Sequence, residues 1–169
     1  MKKYGFFLIT ILVIFTMDQL TKWWVVDSMS LHESIPVLEG FFHLTYVRNP
    51  GAAFGFLAGM DPLFRSIFFI SANIMAMGLI LFYLFKTDQR SSLLILGLSL
   101  IMAGALGNLM DRLRFGEVVD FLDFFLGSWH WPAFNVADAA ITTGALLLIR
   151  EILRADKKSK EEETTQAAL

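Results

Sequence analysis

Residues 91–110 read SSLLILGLSLIMAGALGNLM, twenty consecutive positions without a charged side chain. An α-helix rises about 1.5 Å per residue, so about 20 apolar residues cross the hydrocarbon core of a bilayer. Residues 66–85 form a second uncharged run of that length. Residues 133–149 form a shorter run with one charge, Asp138, and residues 4–26 form another that carries Asp18 and Lys22. Those two lie at i,i+4, share a helix face and partly neutralise each other. The predicted fold is an all-α integral membrane protein, a four-transmembrane-helix bundle with spans at about 4–26, 66–85, 91–110 and 133–149.

Composition points the same way. Of 169 residues, 56% are hydrophobic and 18% charged, against about 45–50% and about 25% in soluble domains. A net charge of -2 argues against nucleic-acid binding, which calls for a basic patch. There are no cysteines, so disulfides, thiolate metal sites and cysteine nucleophiles are excluded. The three histidines, His32, His43 and His130, lack the spacing of a zinc-peptidase helix and read as loop or interfacial residues. No metal and no cofactor are expected.

Met1-Lys2-Lys3 and the uncharged run to Met17 have the outline of a secretory signal. Residues 18–24, DQLTKWW, offer no small-residue cleavage site, so an uncleaved first helix is expected. If four helices alternate, nine of the fourteen basic residues fall on one side: Lys2, Lys3, Lys86, Arg90, Arg150, Arg154, Lys157, Lys158 and Lys160. Lys22, Arg48, Arg65, Arg112 and Arg114 fall on the other. The basic side faces the cytoplasm, so both termini are expected there. All four tryptophans, Trp23, Trp24, Trp129 and Trp131, then lie at the outer interface, as an aromatic belt does.

Two outer loops follow, at about residues 27–64 and 113–132, with a short inner connection at residues 86–90. Residues 41–47 are aromatic and β-branched and predict a strand ending at the turn-forming Asn49-Pro50-Gly51. A small β-sheet on the extracytoplasmic surface is expected. The second outer loop mixes Phe, Val and Leu with acids and reads as an interfacial segment. Residues 155–169 are charged and aperiodic and read as a disordered cytoplasmic tail, which leaves residues 1–154 as a single membrane domain.

Ionisable residues inside a membrane are expensive and point to function. Here Asp18 and Lys22 lie in the outer half of span one, and Asn108, Asp111 and Arg112 at the outer end of span three. Asp138 lies about 8 Å into span four if that helix starts at Ala133. Arg48 and Asn49 belong to the first outer loop, Asp120 and Asp123 to the second. Distant parts of the chain thus deliver polar groups to one layer, while the inner halves of the spans deliver almost none. Each has a plain alternative. Asp18 with Lys22 reads as a structural ion pair, and Asp111 with Arg112 and Arg114 as a helix-end charge cluster. Asp123 reads as a solvated acid, and Asn135 and Asp138 as caps of span four, although at that depth Asp138 lies too far in for a simple cap and reads instead as functional. Ser99, Ala103 and Gly107, with Gly104 adjacent, let a neighbouring helix approach closely.

Of the chemistries open to such a rim, a serine–lysine dyad is disfavoured because Asp18 would keep Lys22 protonated. Two carboxylates in close contact cannot both ionise. One can then take a proton from water while its protonated neighbour polarises a carbonyl. An aspartyl hydrolase is compatible with the residues, though spacing does not choose among Asp111, Asp120, Asp123 and Asp138.

Five blocks carry a resemblance: residues 18–22, DQLTK; residues 48–54, RNPGAAF; residues 104–112, GALGNLMDR; residues 118–121, VVDF; and residues 134–138, FNVAD. In this order and spacing, from about residue 5 to 152, the chain resembles the lipoprotein signal peptidase (signal peptidase II) family of membrane aspartic peptidases. The resemblance implies a catalytic dyad at Asp120 and Asp138. It also implies that Asp18, Lys22, Asn49, Gly51, Gly104, Asn108, Asp111, Arg112 and Asn135 shape the site or contact substrate. The implied substrate is a bacterial prolipoprotein carrying diacylglycerol on a cysteine, cut on the amino side of that cysteine. The implied setting is a monomer among the lipids of the bacterial inner membrane, with its site near the extracytoplasmic face. Rival readings are a small polytopic transporter, which would want ionisable groups through the full membrane depth, and a non-catalytic scaffold.

Overall fold

The computed structural model describes residues 2–51, 60–86 and 91–167. Residues 52–54 of the RNPGAAF block, and residues 87–90 of the connection predicted to be cytoplasmic, lie outside the described residues. The elements run α1 (Lys2–Ser28), β1 (Ser34–Leu38), β2 (Phe42–Asn49), α2 (Pro62–Lys86), α3 (Ser92–Phe115), β3 (Val118–Leu126), β4 (Trp129–His130) and α4 (Val136–Ala167).

Local chemistry sets several ends. Asp61 Oδ1 accepts from the N–H groups of Leu63 (2.9 Å) and Phe64 (3.1 Å), and Pro62 opens α2 where its missing donor is harmless. Ser91 caps α3 through the Leu94 N–H, at 3.4 Å. At the other end Gly116 adopts φ 75° and donates to the Arg112 carbonyl, a left-handed stop that favours glycine.

Among the described residues, three helices are long and apolar enough to cross a membrane: Lys3–Ser28, Pro62–Lys86 and Ser92–Phe115. α3 is the central one: 61% of its apolar window is buried, against 11% for each of the other two. The outward sides of α1 and α2 present Leu8, Leu12, Leu79 and Phe82 at more than half exposure, the surface of a helix solvated by hydrocarbon. α4 is also a long helix, but Asp138 near its start and Arg150 and Glu151 beyond its apolar part restrict its uncharged run to residues 139–149. It therefore does not join the three on length and composition.

α3 and α4 pack backbone to backbone. A Cβ on Gly97 would sit 3.0 Å from the Gly144 carbonyl oxygen, and one on Gly104 would collide with the Ala137 carbonyl. α4 itself continues to Ala167, through residues read from the sequence as a disordered tail. Ion pairs at i,i+4, such as Lys160 Nζ to Asp156 Oδ2 at 2.8 Å, carry the helix on past its apolar part.

The strands form one antiparallel sheet in the order β1-β2-β3-β4. β2 starts one residue later than the predicted strand and runs two residues further, so Arg48 and Asn49 are strand residues and not part of a turn. Residues 118–126, read as an interfacial segment, are instead β3, the partner of β2, with Val47 opposite Asp120 and Asn49 opposite Val118. Val119 and Phe121 pack with Tyr46 against Val25 and Met29, which docks the sheet on the end of α1.

Candidate active site

β3 leads directly from α3, and successive strand side chains point to opposite faces. Val119 and Phe121 turn toward α1, so Asp120 turns the other way, toward the start of α4. Asp120 Oδ2 accepts from Asn49 Nδ2 at 2.8 Å, and Oδ1 from Asn135 Nδ2 at 2.6 Å. Asn49 is itself held, because its Oδ1 accepts the Gly51 N–H at 2.8 Å. Gly51 adopts φ 105° and lies so close to the Phe69 ring of α2 that a Cβ would collide with it. Only glycine meets both demands.

Asp138 sits in the first turn of α4. Its N–H donates to Asn135 Oδ1 at 2.9 Å, and its Oδ2 accepts the Asn135 N–H at 3.3 Å. This reciprocal pairing is a capping box. The depth argument from the sequence thus needs correction: the helix begins at Val136, not Ala133, and Asp138 is close enough to its start to cap it. Capping uses one oxygen. The other, Oδ1, accepts from Asn108 Nδ2 of α3 at 2.8 Å.

Asn135 therefore touches both acids, one through its amide nitrogen and the other through its cap. It is fully buried, and its Nδ2 also lies 3.1 Å from the Val119 carbonyl oxygen.

Behind the two acids lies a buried ion network. Lys22 Nζ is 2.9 Å from Asp18 Oδ2, 2.9 Å from Asp111 Oδ2 and 3.0 Å from Asn108 Oδ1. Three acceptors match the three donors of an ammonium. The Lys22 contact fixes the Asn108 amide so that its nitrogen faces Asp138. Asp18 Oδ1 accepts the Ala137 N–H at 2.9 Å, a favourable place for a carboxylate at a helix N-terminus. Asp111 Oδ2 accepts the Val119 N–H at 3.1 Å, next to Asp120. A Cβ on Gly107 would collide with Asp18, so the small residue there keeps α1 close. Arg112 donates to the Asn108 carbonyl at 3.3 Å, stacks over Phe69 at 5.2 Å and acts electrostatically on Asp138, Asp120 and Asp111.

A cleft of about 710 Å³ opens on the acids. Asp120 and Asp138 line it with Asn49, Trp131, Phe134 and Thr142. Burial first, and then the neighbouring Asp138 carboxylate, push the Asp120 carboxyl up to about 7, against the opposing hydrogen bonds from Asn49 and Asn135.

All eleven residues to which the family resemblance pointed thus fall in this cluster or its immediate packing. Asp123 does not. It faces His130 Nδ1 at 2.9 Å and Thr45 Oγ1 at 3.5 Å, because strand alternation sends it to the face opposite Asp120. Sequence reasoning passed over Gln19, whose Nε2 reaches Asp18, the Gly107 carbonyl and Asp111 at 3.1–3.3 Å. Its place beside Asp18 in the DQLTK block was the available signal.

Three helices fit to cross a membrane, and two acids from β3 and the start of α4 lining one cleft beside them, match the class of membrane-embedded aspartic peptidases. A family model for Signal peptidase (SPase) II matches residues 10–154. The chain belongs to the signal peptidase II family. It is similar to the lipoprotein signal peptidase of Syntrophus aciditrophicus (strain SB), 53% identical over 152 residues that cover 90% of this chain and 94% of that one. It is also similar to the lipoprotein signal peptidase of Geobacter sulfurreducens (strain ATCC 51573 / DSM 12127 / PCA), 45% identical with 92% and 96% covered. A solved bacterial membrane enzyme superposes with a TM-score of 0.82 at 32% identity over 91% of each chain.

Proposed function

We propose that Asp120 and Asp138 are the catalytic pair with which this chain, an aspartic endopeptidase, removes the signal peptide from a bacterial prolipoprotein. The cut falls on the amino side of a diacylglyceryl-modified cysteine. The observation that carries this reading is Asn135, whose side-chain amide and backbone N–H hold the two carboxyls at the wall of one cleft.

With Asp120 protonated, Asp138 is the acceptor for a proton of the attacking water. The hydroxide equivalent adds to the scissile carbonyl carbon while the Asp120 proton passes to the carbonyl oxygen. Collapse of the tetrahedral diol returns a proton to Asp120, and Asp138 delivers its proton to the leaving amide nitrogen. Arg112 offsets the negative charge of the pair, and the buried surroundings strengthen each interaction. Lys22, Asp18, Asp111 and Asn108 act through their neighbours, as positioning residues. No step uses a metal or cofactor.

The apolar part of α4 serves as a fourth span, with the acids at its extracytoplasmic end and both termini in the cytoplasm. The excess of Lys and Arg on the other side supports this orientation. A cleavage site beside a lipid-anchored cysteine belongs at that interface. Residues 1–154 act as one membrane domain and a monomer, and the charged extension beyond is solvated. The test is incubation of the purified enzyme with a lipid-modified prolipoprotein. Asp120→Asn and Asp138→Asn should each abolish cleavage while the protein still inserts; cleavage by either variant at the native rate would refute the dyad.

A further inference from the structure

On the side of α3 where it meets α1, the two helices leave a groove of about 470 Å³. Leu8, Leu12 and Phe15 of α1 line it together with Leu106, Met110 and Leu113 of α3. Both sets follow the i, i+3/i+4, i+7 stripe of one helix face. Each wall spans eight residues, about 10 Å at 1.5 Å per residue, or about two-thirds of one leaflet of a 30 Å hydrocarbon core. Leu8, Leu12 and Leu113 are each more than 60% exposed, so the slot opens sideways into the surrounding hydrocarbon.

The end nearer the sheet is polar. Gln19 lies one turn beyond Phe15 on α1, and Arg114 one turn beyond Met110 on α3. Arg114 Nη1 donates to Gln19 Oε1 at 3.2 Å, which bridges the two helices immediately past the apolar slot. Arg114 is exposed, and a guanidinium has five N–H donors arranged to meet phosphate oxygens.

We propose that this groove is a phospholipid site, in which one acyl chain lies between α1 and α3 and an anionic headgroup phosphate pairs with Arg114. The chemistry of the two ends selects this occupant. A partner helix would leave the guanidinium unmatched, whereas an anionic phospholipid supplies a chain for the slot and a charge for its rim. Through Gln19 the headgroup would touch the same hydrogen-bond network that holds Asp18 and Asp111.

Native mass spectrometry of the full chain in mild detergent, titrated with phosphatidylglycerol or phosphatidylcholine, tests the proposal without requiring catalysis. The native protein should retain one phosphatidylglycerol in preference to phosphatidylcholine. Arg114→Gln should weaken retention about fivefold, the contribution of one basic side chain at an anionic surface, and Arg114→Lys should retain most of it. Leu12→Trp, at an exposed position where misfolding is not a concern, should fill the slot and remove the adduct. Equal retention of the two lipids, an undiminished adduct in Leu12→Trp, or a lipid-free dimer of the chain would overturn it.

Discussion

Replacing Asn135 separates two jobs that one side chain performs. Its Oδ1 caps α4 by accepting the Asp138 N–H at 2.9 Å, and its Nδ2 donates to Asp120 at 2.6 Å. Aspartate caps a helix as well as asparagine does, so Asn135→Asp keeps the first job and loses the second. Asn135→Ala loses both. A hydrogen bond to a charged group contributes about 1.5–3 kcal/mol. At about 1.4 kcal/mol per factor of ten, both variants should therefore cleave about ten- to a hundredfold more slowly. Only the alanine variant should also lose the cap, about 1 kcal/mol of stability. The pH profile gives an independent sign. The Asn135 Nδ2–H favours the charged form of Asp120 and so lowers a carboxyl that burial has raised to about 7. Without it the proton on Asp120 is held more tightly, and the alkaline limb of the rate profile moves to higher pH. The assay is cleavage of a lipid-modified prolipoprotein across pH 5–9, roughly the range in which that limb is visible, with thermal unfolding in the same detergent. An Asn135→Asp enzyme with the native rate and an unmoved alkaline limb would refute the reasoning.

Three further outcomes follow from the same geometry. Lys22→Met leaves Asp18 and Asp111 buried without their shared cation and should destabilise the fold by about 3–5 kcal/mol, read as a loss of folded yield; if adding Asp18→Asn and Asp111→Asn restores nothing, the ion network is not the cause. A carboxyl raised in the folded state stabilises it below the unfolded pKa, and that stabilisation is lost as pH rises through the folded value. Asp120→Asn should therefore gain thermal stability over the native protein as pH rises from about 4 past about 7, and a constant difference would contradict the raised pKa. Gly104→Val forces a side chain into the Ala137 carbonyl and should cost about 1–3 kcal/mol by overpacking, visible as a lowered melting temperature; an unchanged melting temperature would mean that α3 and α4 can separate freely.

The spanning helices were legible because hydrocarbon imposes a long apolar run, which α2 and α3 carry without a charge and α1 carries despite Asp18 and Lys22. The sheet was less so. Residues 41–47 show the composition of a strand, but β3 has Val118, Val119, Asp120 and Phe121 all buried. With both faces covered, the period-two alternation that marks a strand disappears. The layer at which the polar groups gather could be read from topology, whereas the choice of Asp120 over Asp123 could not. It depends on strand parity, which no composition reveals until the strand is known. Asp138 shows the opposite case. Its capping partner Asn135, three residues earlier, was visible, but counting depth from the edge of the apolar run misplaced the helix start by three residues.

The charge balance explains why the frame behind the pair is so heavily ionised. Asp18 and Asp111 are matched by Lys22 and Arg112, so these four groups sum to zero. The first ionisation of the Asp120–Asp138 pair brings the cluster to -1, and the second would bring it to -2 at low dielectric, where like charges interact strongly. Deleting Lys22 would make both steps harder, and deleting Asp18 would make both easier. The charge of the network thus acts on the proton of Asp120, and its hydrogen bonds on where the oxygens of the pair point. Positioning alone would be served by neutral amides, as Asn49 and Asn135 show. Under the proposed dyad, a balanced set of buried ions would also let the pair keep one proton and release the other. Such a split suits a reaction in which one carboxyl gives a proton while the other takes one.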